Sequence, residues 1–126
     1  MTSDSVLPSS VAIRRVYEPG EPSDGLRVLV DRLWPRGMRK EALEHDQWIT
    51  ELAPSTELRR FYGHDPGRFA EFRTRYRAEL AAQPARRALR RLRADSDGGA
   101  LTLLTATKDV SISHAAVLAE LLRVAD

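Results

Sequence analysis

The sequence predicts an α/β protein: a small, mainly parallel sheet of about three strands, covered by helices and packed in layers as a single domain. Three observations predict it. Short apolar runs, Val28-Leu29-Val30 and Leu101 to Leu104, stop abruptly at polar residues, as buried strands do. Long segments between them repeat their apolar residues at helical spacing. The length, 126 residues, suits one domain that buries roughly two thirds of its unfolded surface.

Met1 to Ser10 is polar, without the basic start and apolar centre of a signal peptide, and is predicted to be a disordered tail before a domain over 11–126. Val11 to Tyr17 reads as a first strand on Val11, Ile13 and Val16, and Glu18 to Gly25 as a turn-rich loop. A second strand is expected over Leu26 to Asp31, where Pro35 forbids further pairing and holds Trp34 extended. A helix is expected over Arg39 to Leu52, with Leu43, Trp48, Ile49 and Leu52 inward, ended by Ala53-Pro54. Ser55 suits the cap of a short helix through Tyr62, closed by Gly63. Asp65-Pro66 starts the next helix, whose inner face is Phe69, Phe72, Tyr76 and Leu80. Pro84 opens another, with Ala85, Ala88, Leu89 and Leu92 inward. After Asp97-Gly98-Gly99 comes a strand over Ala100 to Ala106. Ser113 caps a last helix that buries Val117, Leu118, Leu121 and Leu122. Strands two and three, joined by helices, should be parallel. The first loop is short for a crossover, so the first strand's direction stays open.

Composition excludes several classes of function. Cysteine is absent, which removes disulfides, thiolate metal sites and cysteine nucleophiles, and asparagine is absent, which removes every glycosylation sequon. No run is long enough for a membrane span, so a cytoplasmic protein with no membrane partner is expected. Of the 20 basic residues all but Lys40 and Lys108 are arginine, at a net charge of +2. Arginine suits phosphate and carboxylate recognition, yet coding bias in a GC-rich genome explains the excess more simply.

The polar ends of the second and third strands form the first candidate site. In open α/β sheets ligands sit outside the carboxyl ends of the strands. Asp31, Arg32 and Arg36 follow one strand; Thr105, Thr107, Lys108 and Asp109 follow the other, with His114 in the first turn of the last helix. If the strands are neighbours, carboxylates, guanidiniums and an imidazole meet at a helix N-terminus, which favours an anion. Asp31 or Asp109 would be base or nucleophile and His114 the acid; Arg32, Arg36, Lys108 and Trp34 would bind the ligand. The plainer reading makes Asp31 and Arg32 ordinary ion-pair partners, Lys108-Asp109 a solvated turn and His114 a cap.

A second candidate is the segment from Arg59 to Arg93, with eleven arginines against Asp65, Glu71 and Glu79. Arg86, Arg90 and Arg93 share one helical face and Arg87 and Arg91 its neighbour, a stripe able to bind nucleic-acid phosphates through counterion release. A solvated helical surface explains it as well. No metal is expected: His45-Asp46 and His64-Asp65 lack ligand spacing. No GxSxG elbow supports a catalytic serine.

The motifs LVDRLWPRG (29–37), WITELAPSTELRRFYGHDP (48–66), FxxFRxRYxxEL (69–80) and TLLTATKDVSISHAAVL (102–118) resemble the YeaO-like branch of the domain-of-unknown-function family 488, over about Ile13 to Leu122. The resemblance implies a small cytoplasmic α/β protein and brings no reaction with it. It places characteristic polar positions on Asp31, Arg32, Arg36, Asp109 and His114. The chain departs from it at Thr50, where lysine is usual, and at Ser113, where asparagine is usual. The wider family often has a cysteine before the equivalent histidine, and that chemistry has no counterpart here.

The leading expectation is a small enzyme or binding domain for an anionic, phosphate-bearing small molecule at the strand ends, with hydrolysis or group transfer needing no cofactor. The alternatives are a nucleic-acid-associated module using the arginine-rich helices, and a non-catalytic interaction protein. Oligomeric state is not legible in the sequence.

Overall fold

A computed structural model of the chain describes residues 7–124. Its strands are β1 (Ser10–Arg15), β2 (Leu26–Leu29), β3 (Gln47–Trp48) and β4 (Ala100–Thr105). Its helices are α1 (Thr56–Tyr62), α2 (Phe69–Leu80), α3 (Ala85–Ser96) and α4 (His114–Leu122). The sheet runs β1-β4-β2-β3 and every pairing is parallel. The expected neighbours β2 and β4 do pair, Val28 opposite Leu103 and Leu29 opposite Leu104. β1, whose direction the sequence left open, is parallel to β4 with Ile13 opposite Leu103. Extended chain covers about 3.3 Å per residue, so residues 16–25 suffice to return from the top of β1 to the bottom of β2. Of the tail expected over 1–10, residues 1–6 lie outside the described ones, Ser9 N–H donates to Gly99 O at 2.9 Å, and Ser10 opens β1.

Alternation along the strands splits the core in two. Val28, Val30, Leu101 and Leu103 pack against buried residues of all four helices, among them Leu58, Phe72, Leu89 and Leu118. Leu29 and Leu104 face the other way, onto Val16 and Leu43, with Trp34 and Met38 alongside. Helices therefore cover one face, and irregular chain covers the other.

The helix expected over Arg39 to Leu52 is not formed. That segment is turns, then the two-residue strand β3, then a 3-10 turn at Thr50–Leu52. Its backbone donors go to the open edge of β2: Asp46 N–H to Arg27 O at 2.7 Å and Ile49 N–H to Leu29 O at 3.0 Å. Arg27 N–H answers to the Asp46 carboxylate at 2.8 Å. The apolar residues that suggested one stripe part company, Leu43 to one face of the sheet and Ile49 and Leu52 to the other, while Trp48 is 41% exposed. A free sheet edge offered these peptide groups better partners than a helix whose apolar face could not be buried on one side.

The caps form as expected. Ser55 accepts Leu58 N–H at 3.1 Å and Gly63 closes α1 with φ 51°. Asp65 accepts Gly67 N–H at 2.9 Å, at a 3-10 turn leading into α2, and Ser113 accepts Ala116 N–H at 3.3 Å. Gly25, just before β2, allows a close backbone approach: a Cβ there would lie 2.2 Å from Ala100 O, at φ 65°. No helix among the described residues is long and apolar enough to cross a membrane.

Tyr76 ties α2 to the loop before α1 by donating its hydroxyl to Leu52 O. Burial, with the nearby charges of Glu79 and Asp31 adding to it, raises this phenol well above its ordinary value. The unfolded phenol ionises near pH 10, so the stability it contributes is full below that and is lost as pH rises beyond it. Alkaline melts should show a stability loss above about pH 10 that is shallower in Tyr76→Phe; equal alkaline limbs would show that Tyr76 is not its source.

Candidate functional site

The carboxyl ends of β2 and β4 open into a cleft of about 540 Å³, within the range of small-molecule sites. One wall is the loop after β2, with Arg32, Trp34, Pro35 and Arg36; the facing wall is Ala53-Pro54 and α1, with Arg59 and Arg60. His114 and Ser113, at the start of α4, line it together with Asp31, Ala106 and Thr107. Arg32 spans the walls, its guanidinium donating to Pro54 O at 3.1 Å.

Asp31 is the best-anchored polar group. Its Oδ1 accepts the Thr105 hydroxyl at 2.7 Å and lies 3.2 Å from His114 Nε2; its Oδ2 accepts Ala106 N–H at 2.8 Å. His114 Nε2 is also 3.1 Å from Val30 O. Both neighbours of that nitrogen are acceptors only, so the network assigns it the hydrogen and leaves Nδ1 for another partner. Burial pushes the Asp31 carboxyl up, but the His114 hydrogen bond and charge, with Ala106 and Thr105, outweigh it and hold the group below the ordinary aspartate value. It therefore stays a carboxylate at neutral pH. The Trp48 indole fixes the same residue's backbone, donating to Asp31 O at 2.7 Å.

The other predicted residues divide. Arg32, Trp34 and Arg36 line the cleft; Trp34 is half-buried, its indole donating to Met38 O at 2.6 Å. Asp109 and Lys108 are exposed and do not line it. Asp109 turns its carboxylate onto the chain after β4, accepting Ser111 N–H at 3.1 Å and the Ser111 hydroxyl at 2.6 Å. His45, which the sequence did not assign to the site, does not line the cleft; its ring lies edge-on to Trp34.

The arginine-rich segment does not form one stripe. Arg73 and Arg77 reach Glu120, Arg75 pairs with Glu71, and Arg68 donates to Phe61 O at 2.7 Å. Arg93, counted with the exposed face of its helix, is 3% exposed and donates to Leu121 O at 2.8 Å and Val124 O at 3.2 Å. Arg86, Arg87, Arg90 and Arg91 remain exposed on α3.

Arg59, Arg60 and His64 are the basic cleft residues that sequence reasoning did not assign to this site. A signal existed: Thr56, Arg59 and Arg60 stand at i, i+3 and i+4, one face of α1, while Leu58 and Tyr62 hold the core face. Four guanidiniums thus line a cleft whose only acidic lining residue, among the described residues, is Asp31.

The family model described as "Inactive DUF488-N3 subclade" matches residues 10–125. An uncharacterized protein of Mycobacterium tuberculosis is 49% identical over 117 residues, covering 93% of this chain and 97% of its own length. The uncharacterized protein YeaO of Escherichia coli is 45% identical over 114 residues, covering 90% of this chain and 97% of its own. No solved structure matches the chain.

Proposed function

The chain belongs to the YeaO-like branch of the DUF488 family, and we propose that it binds an anionic, phosphate-bearing small molecule in the strand-end cleft. One observation carries the reading: Arg32 and Arg36 on one wall and Arg59 and Arg60 on the other, from separate parts of the chain, line the same small cleft. Exposed like charges gathered in a concave, partly apolar site raise the local potential and focus it on an anion, and guanidiniums match phosphate oxygens in their planar fork. The start of α4 adds its positive end.

Binding without turnover is the preferred form of this reading. Asp31 is already engaged by three protein donors, and the matching family model is described as an inactive subclade. Hydrolysis or group transfer is the second form, supported by the second ring nitrogen of His114, which the Asp31 contact leaves over. Asp31 would then orient the imidazole, and Asp31→Asn would abolish a turnover that the wild type shows.

Melting the protein at low salt with pyrophosphate, and with a short oligonucleotide, separates the readings. A ligand at a hundred times its Kd stabilises by about 2.7 kcal/mol, several degrees for this size. The pyrophosphate shift should disappear in Arg36→Ala and in the Arg59→Ala/Arg60→Ala double variant. It should persist when Arg86, Arg87, Arg90 and Arg91 are all replaced by alanine. A shift by the oligonucleotide alone, lost only in the α3 variant, would move the function to nucleic acid; no shift by any anion would end the cleft reading.

A further inference from the structure

We infer that the ligand is a phosphorylated sugar, its phosphate on the guanidinium rim and a hydroxyl donating to Asp31 at the bottom of the cleft. The inference rests on the anion-binding reading and deepens it.

A carboxylate is out of place in a site for a bare anion, because it repels one. A carboxylate has about four lone-pair positions, and the protein fills three of them here. Thr105 and His114 take Oδ1, and Ala106 N–H takes one position on Oδ2. The remaining position on Oδ2 is open to a donor, since the Asp31 side chain is 16% exposed while lining the cleft. Charge decides the donor's kind. An ammonium would meet Arg32, Arg36, Arg59 and Arg60 with a single carboxylate in its favour; a neutral hydroxyl meets no such opposition.

The walls bear on the body of the ligand. Tyr62 and Phe72 line the cleft, yet their rings stack on each other at 4.3 Å, and Phe72 stacks in turn on Tyr76. Tyr62 and Phe72 are only 7% and 1% exposed, and Trp34 is half-buried between His45 and Trp48, so a flat base gains little stacking on these rings. Pro35, Ala53, Pro54 and Ala106 supply small aliphatic surfaces, which suit the C–H faces of a sugar. Free sugar phosphates and nucleotides share the phosphorylated sugar, and the test distinguishes them.

Isothermal titration of the wild type at low salt with inorganic phosphate, ribose 5-phosphate, n-pentyl phosphate and adenosine monophosphate makes the comparison without relying on a variant. Pentyl phosphate keeps the phosphate and the carbon count and removes the hydroxyls. A site built to accept a hydroxyl discriminates strongly against an analogue lacking it, so ribose 5-phosphate should bind at least about tenfold tighter than pentyl phosphate. Asp31→Asn should remove that advantage and, by deleting a like charge, should not weaken inorganic phosphate. Adenosine monophosphate binding tenfold tighter than ribose 5-phosphate supports the inference with a nucleotide as source; weaker or absent binding supports it with a free sugar phosphate. Pentyl phosphate binding as well as ribose 5-phosphate, with inorganic phosphate still bound, overturns the sugar and leaves the anion site standing. Failure of every phosphate, the inorganic ion included, removes both.

Discussion

Asp31→Ala should destabilise the protein by about 3 kcal/mol, because it takes a charged acceptor from three donors at once. The Thr105 hydroxyl, Ala106 N–H and His114 Nε2 all lose this acceptor; His114 keeps a second in Val30 O and the Thr105 hydroxyl a second in Thr107 Oγ1 at 3.0 Å, whereas Ala106 N–H keeps none among the described residues. Each hydrogen bond to a charged group is worth about 1.5–3 kcal/mol, and water entering from the cleft recovers part of the sum. For a chain of this size that is a fall in Tm of roughly 10 °C. The loss also has a pH signature. The folded carboxyl sits below its ordinary value: burial pushes it up, but the His114, Ala106 and Thr105 hydrogen bonds more than offset that. The unfolded value is about 3.9. The stabilisation is thus full above about pH 4 and is lost as pH falls through the lower, folded value. Urea unfolding of both proteins from neutral pH to pH 2 should show their difference shrinking only at the acid end. A difference that stays constant through the acid range would mean that the carboxylate charge is not what holds the strand ends together.

Asp24→Ala is expected to cost still more, about 3–5 kcal/mol, the range for breaking a buried ion pair on one side. Asp24 and Arg27 are both buried and paired, with Arg14 Nε 3.3 Å from the same carboxylate. Thr102 secures the turn by donating to Asp24 O at 2.7 Å. Without Asp24 the Arg27 guanidinium keeps Glu44 O at 2.6 Å but loses its counter-charge. Replacing both partners, Asp24→Ala with Arg27→Met, removes the buried charge as well and should recover part of the loss. Denaturant midpoints of the two variants decide it: a double variant no more stable than the single one would show that packing, not the uncompensated guanidinium, sets the cost. Burial pushes the Asp24 carboxyl up as well, but the Glu21 N–H bond and the charges of Arg14 and Arg27 hold it below its ordinary value. It therefore belongs to the same acid limb as Asp31.

Legibility followed the range of the interactions. Ser55, Asp65 and Ser113 were readable as caps because a cap is decided within three residues of itself. Asp31 and His114 were readable as a pair through one step of topology, the adjacency of two strand ends. Arg59 and Arg60 were read with the rest of an arginine run: their spacing puts them on the α1 face away from Leu58, but that a cleft lies opposite this face is set by the packing of α1 against the strand ends. Arg93 shows the converse: its spacing marks the same face as Arg86 and Arg90, and only the seating of α4 buries it against Leu121 O and Val124 O.

By itself the sequence determined the α/β class, the core strands and the polar rim where β2 and β4 end, because strand and helix periodicities and caps are properties of short stretches of chain. Only the tertiary structure decided the β1-β4-β2-β3 order, the unwinding of residues 39–46 and the new strand β3. It also decided which arginines face the cleft and that Asp109 turns away to Ser111. Those outcomes depend on which surfaces remain unpaired once the core has closed. The edge of β2 needed backbone partners, and the second face of the sheet needed covering. The chain from 31 to 49 met both needs at the expense of its own helical pattern.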